Sequence, residues 1–74
     1  MKVKIENAYE DGHESSAEEE VSEPEVLNED FWDEMFDRTG DGHGIGTKLG
    51  SCYTVTIIEA TNPTFVGQSR EWID

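Results

Sequence analysis

Apolar and polar positions alternate most regularly over Ser51–Ala60, SCYTVTIIEA. Tyr53, Val55 and Ile57 fall on one face of an extended chain there, and Thr54, Thr56 and Ile58 on the other. β-Branched and aromatic residues dominate the run, which predicts a central strand over 52–60. A weaker alternation over 2–9 sets Val3, Ile5 and Tyr9 against Lys2, Lys4 and Glu6. It predicts a short strand whose lysines suit the edge of a sheet, where charge discourages further pairing. After the turn chemistry of ATNPT at 60–64, Phe65, Trp72 and Ile73 supply a returning strand over 65–73. Gly67 marks a bulge or a close backbone approach within it.

The pattern changes period over 26–37, VLNEDFWDEMFD. Leu27, Phe31, Trp32, Met35 and Phe36 form a helical stripe, and Glu29, Asp30, Asp33, Glu34 and Asp37 form the opposite face. Ser22 with Glu25 makes a capping-box pattern, with Pro24 suited to a first turn; Asn28 is the competing N-cap. Residues 38–50 carry five of the seven glycines and read as a loop, with Gly40 as the helix stop. Residues 10–25, EDGHESSAEEEVSEPE, hold seven glutamates, Asp11 and one clear apolar residue, Val21. Such a segment buries too little apolar surface to offset its ordering entropy, and a disordered acidic loop or linker is expected. No internal repeat stands out.

These elements predict one small α+β domain spanning 1–74: a three-stranded, mostly antiparallel sheet with one helix packed on it. A small, partly open β-barrel with the helix as a lid is the alternative. At 74 residues the apolar content is barely sufficient for either, and a partner or a second copy would supply any shortfall.

Charge changes this picture more than composition does. The formal net charge is −13, with eighteen acids against five Lys and Arg. Residues 1–37 hold fourteen acids against Lys2 and Lys4, while residues 38–74 hold four acids against three cations. Direct contact with nucleic acid or an anionic membrane needs cations that the chain lacks. A basic protein or a divalent cation is the partner that such a field attracts. The N-terminal MKVKIENAYE lacks the apolar core of a signal peptide, and no window approaches the roughly 18 apolar residues of a membrane span. Proline bars Asn62-Pro63-Thr64 from glycosylation, and Cys52 stands alone, so a reducing, cytoplasmic setting is expected.

The sharpest local pattern is FWDEMFDRTGDGHGIG. Asp37, Thr39, Asp41 and Gly42 occupy what would be positions 1, 3, 5 and 6 of a calcium loop, so this stretch resembles the first half of an EF-hand. The second half departs from it: position 12, where a bidentate Glu belongs, is Lys48, and a strand rather than a helix follows. The resemblance implies Asp37, Thr39 and Asp41 as calcium ligands, with calcium as the one cofactor to be considered. GDGHGIG has a helix before it and a strand after it, the reverse of a dinucleotide-binding turn. For catalysis, His43, Asp41 and Cys52 are the candidates. A thiol at the head of a strand in a strongly acidic protein is not activated, and two histidines with one cysteine do not make a zinc set. The residues point away from an enzyme.

The acid-rich helix face is the remaining constellation. Glu29, Asp30, Asp33, Glu34 and Asp37 would present carboxylates on an ordered element to a basic partner, such as a nucleic-acid-binding protein. In size and charge the chain is similar to the DNA-mimic inhibitors of phages and mobile elements, although no sequence motif carries that similarity. Aromatics of the stripe left outside the core, Trp32 among them, would add a hydrophobic grip.

Overall fold

The computed structural model describes residues 1–44 and 49–73. Its elements in chain order are β1 (Lys2–Tyr9), β2 (Glu14–Glu20), α1 (Glu29–Asp37), β3 (Ser51–Glu59) and β4 (Ser69–Ile73). The strands make one antiparallel sheet in the order β2-β1-β3-β4, and α1 packs on one face of it. The class is the expected α+β. The sheet has four strands rather than three, and it stays open, with β2 and β4 as its edges, rather than curling into a barrel.

The added strand is the acidic tract. Residues 10–25 were expected to be a disordered loop or linker, yet Glu14–Glu20 runs antiparallel to β1, with Ala8 opposite Glu14 and Lys2 opposite Glu20. Apolar burial cannot be the cause, since the tract offers little. Two other terms act instead. β1 presents a row of backbone N–H and C=O groups on that side, and a short hairpin is the cheapest way to pair them. In addition, Lys2 and Lys4 stand directly opposite Glu20 and Glu18, the opposite-charge arrangement that stabilises neighbouring strands. The lysines of β1 therefore serve an inner strand, not an edge. The edge is β2, where glutamates blunt pairing with other chains.

Alternation then fixes the two faces of the sheet. Val3, Ile5, Asn7 and Tyr9 of β1, with Val55 and Ile57 of β3, point under the helix and are buried. From α1, Phe31, Trp32 and Met35 close down on them, and Phe65 completes the core. Asn28 is the N-cap: its Oδ1 accepts from the Phe31 amide at 3.0 Å, so the Ser22 capping box does not form and the helix starts at Glu29. Residues 21–28 instead run as a connection that Glu23 ties to the far end of the sheet, its carboxylate accepting from the amides of Thr61 and Asn62 and from the Thr61 hydroxyl. The returning strand is shorter than 65–73. Residues 61–67 form turns that swing Phe65 back under the core, and pairing with β3 spans Ser69 to Ile73.

Two arginines hold the helix diagonally across the sheet. Arg70 of β4 makes a two-pronged contact with Glu29, at 2.7 and 2.9 Å, and its guanidinium lies 5.4 Å from the Trp32 ring centre. At the other end, Arg38 reaches Glu19 of β2 at 3.0 Å. Exposed pairs of this kind are individually worth about 0–1 kcal/mol, so their role is to set the crossing direction while Met35 and the aromatics supply stability.

Met35 is 1% exposed at the centre of the core. Met35→Ala is expected to cost about 2–5 kcal/mol, against under about 0.5 kcal/mol for Val66→Ala on the surface. Urea unfolding followed by tryptophan fluorescence measures both, and equal costs would contradict this assignment of the core.

Candidate functional site

Two polar features stand out on the fold: the outer face of α1, and a cluster where the β1–β2 turn meets the α1–β3 connection. On the helix, Asp30, Asp33, Glu34 and Asp37 recur at i, i+3, i+4 and i+7, opposite the buried Phe31, Trp32 and Met35. All four are exposed. Asp30, Asp33 and Asp37 have no ion-pair partner among the described residues, and Glu34 lies 3.8 Å from Arg38. Glu29, expected with this group, is turned to Arg70, which holds its carboxyl below the usual glutamate range. Trp32 is a correction: at 5% exposure it is a core residue and is not available to a partner. The exposed aromatic of the stripe is Phe36, whose ring meets Tyr53 and Trp72 at its edges.

The cluster at the other feature is built on Asp41. Its Oδ1 accepts from the Tyr9 hydroxyl at 2.9 Å and from the His43 amide at 3.0 Å. Its Oδ2 accepts from the Ser15 hydroxyl at 2.5 Å and lies 2.9 Å from His13 Nε2. Asn7, the buried polar residue of β1, accepts from the Gly40 amide at 2.8 Å and donates to Ser15 at 3.3 Å. Four donors on one carboxylate hold it well below the usual aspartate range, Ser15 and His13 foremost. Burial pushes the Tyr9 phenol up to about 12, so it stays protonated and donates. Asp11 is lowered too, by the His13 amide first and then by His43 Nε2, which lies 2.7 Å away.

The residues expected as calcium ligands have other engagements in this geometry. Both Asp41 oxygens are taken by hydrogen donors, and the Thr39 hydroxyl donates to the Phe36 carbonyl at 2.6 Å. Asp37 sits on the helix face with the other acids. Position 12 of the supposed loop, Lys48, lies outside the described residues. Among the described residues no group of three or more His, Cys, Asp or Glu is arranged to hold a metal ion. The His13 and His43 rings are stacked with 11° between their planes, so their lone pairs lie in parallel planes that cannot converge on one cation.

Cys52 and His43 do not form a nucleophile pair. His43 is engaged with Asp11, Tyr9 and the His13 ring. Cys52 lines a shallow depression of about 360 Å³ with Ala8 and Ile73 on the open sheet face, and burial, then Glu71, raises its thiol above the ordinary range. No helix among the described residues is long and apolar enough to cross a membrane. No protein-family model, curated protein or solved structure matches the chain.

The carboxyls of Asp11 and Asp41 sit below their ordinary value in the folded chain, so they contribute stability that is present above about pH 4 and lost as pH falls through the lower folded values. Acid unfolding of the native chain should therefore lie below about pH 4, and Asp41→Asn should flatten the acid limb. Circular dichroism against pH reads this. An Asp41→Asn chain with the native acid limb would contradict the central place given to that carboxylate.

Proposed function

We propose that the chain is a non-enzymatic interaction protein that presents the outer carboxylates of α1 to a basic protein, in the manner of a nucleic-acid charge mimic. The observation that supports this best is the spacing of those acids. Asp30, Asp33, Glu34 and Asp37 lie along about 10.5 Å of helix axis at ~1.5 Å per residue, in steps of roughly 4.5, 1.5 and 4.5 Å that average about one carboxylate per 3.5 Å. One strand of duplex DNA carries roughly one phosphate per 3.4 Å. The acids sit on an element whose ends are fixed by Arg70 and Arg38, so their spacing is preset and need not be ordered on binding. Three of the chain's cations are engaged with other acids: Arg70 with Glu29, Arg38 chiefly with Glu19, and Lys2 with Glu59 at 3.0 Å.

A surface of this kind steers association and is screened over about 8 Å at physiological ionic strength. Binding to a basic partner isolated from host extract should weaken steeply with salt. The triple variant Asp30→Asn, Asp33→Asn, Glu34→Gln should slow association by roughly tenfold or more while dissociation changes less. Neutralising Glu18 and Glu20, which already face Lys4 and Lys2 across the strand pair, should have a smaller effect. Surface plasmon resonance at several salt concentrations separates the two rates. Salt-insensitive binding that survives the triple variant but is lost in Phe36→Ala would place the interface on the exposed aromatic edge instead.

A further inference from the structure

The two outer edges of the sheet differ in how they meet solvent. β2 lines its edge with glutamates, which discourage a further strand. β4 pairs with β3 alone and carries one acid and one base, Glu71 and Arg70. Arg70 is folded back onto Glu29 and the Trp32 ring, so it does not guard the edge. Neither proline nor lysine stands within Ser69–Ile73. The register shows which backbone groups of β4 are unpaired. The Ile57 amide donates to the Gln68 carbonyl at 2.9 Å, and bonded pairs alternate from there. Arg70 and Trp72, opposite Val55 and Tyr53, therefore turn their N–H and C=O groups to β3. Ser69, Glu71 and Ile73 turn theirs outward, and among the described residues no further strand lies beside them.

We propose that this free edge takes an extended, lysine- or arginine-bearing segment of a partner protein as a fifth strand. The proposal rests on the basic partner inferred above and gives it a second point of attachment. In such an addition, main-chain bonds to Ser69, Glu71 and Ile73 supply affinity, and alternate side chains supply selectivity. On the helix side, the half-buried Trp72 ring lies 5.4 Å from that of Phe36, which is 41% exposed, and apolar side chains of the added strand fall there. On the opposite side Glu71 is exposed, and a cation beside it makes a favourable cross-strand pair. Arg70 is already matched by Glu29, so the charge left over along this edge is negative, as it is for the whole chain at −13. A second copy is the poorer occupant. Pairing the whole of β4 antiparallel with itself sets Glu71 opposite its own counterpart, and like charges so placed destabilise.

The test is amide exchange on the full, isotope-labelled chain, with the end-blocked peptide Lys-Val-Lys-Val-Lys-Val-Lys as the probe. Bound peptide should protect the amides of Ser69, Glu71 and Ile73 by roughly tenfold or more, while Arg70 and Trp72, already bonded to β3, change less. In an added strand only alternate residues of the peptide face β4. Methylating the backbone nitrogens of one alternate set, lysines or valines, should therefore weaken binding by about tenfold or more, and methylating the other set should change it little. Shifts confined to residues 30–37, with no gain of protection at Ser69, Glu71 and Ile73, would overturn the strand addition and leave the helix-face reading standing. Equal effects of the two methylations, whether small or large, would overturn it, and so would a peptide that leaves every amide unchanged. Protection of the three amides that rises with chain concentration in the absence of peptide would give the edge to a second copy and overturn it too.

Discussion

Everything in this fold depends on β1 being paired on both sides. It is the inner strand that carries Val3, Ile5, Asn7 and Tyr9 into the core. Its backbone groups lie against that core and need partners along both edges. β3 serves one edge with a long register from Tyr9–Ser51 to Lys2–Glu59. The other edge is served by a segment with almost no apolar content, Glu14–Glu20. Strand pairing there is sustained by backbone hydrogen bonding rather than by burial, with Lys2 and Lys4 in register opposite Glu20 and Glu18 although Lys2 makes its ion pair with Glu59. Once β2 is in place, Ser15 lies beside Asn7, His13 closes the hairpin, and Glu19 is within reach of Arg38.

Much of the core was legible in the sequence because it follows periodicity. The alternation in β1 and β3 and the stripe of α1 identify Val3, Ile5, Val55, Ile57, Phe31, Trp32 and Met35, all of which are buried. What was not legible depends on contacts between distant parts of the chain. β2 has no hydrophobic pattern of its own; its signal was the match between lysines at alternate positions of β1 and glutamates at alternate positions of the tract. Trp32 reads equally well as a hot-spot aromatic or a core residue until Trp72 and Arg70 are seen beside it. The tripeptide Asp-Gly-His, at 11–13 and again at 41–43, is too short to register as a repeat, and only the fold brings its two copies into contact. The calcium-like spacing of Asp37, Thr39 and Asp41 was real in sequence, but Asp41 turns to Tyr9, Ser15 and His13.

The acids differ in their surroundings. Glu19, Glu23, Glu29, Asp11 and Asp41 are structural acceptors, each engaged with a donor of this chain. Asp30, Asp33 and Asp37 are exposed and lie in one row on α1. Arginines contact the helix near both of its ends, Arg70 at Glu29 and Arg38 just past Asp37.

The ordered state of the acidic tract is the claim on which the hairpin, the Asp41 cluster and the helix setting all rest. Amide hydrogen exchange through Glu14–Glu20 tests it most directly. An antiparallel edge strand bonds alternate amides to its neighbour and leaves the others to water, so protection should alternate along the tract, with strand-like carbon shifts throughout. Uniformly unprotected amides with random-coil shifts from Glu14 to Glu20 would contradict the account.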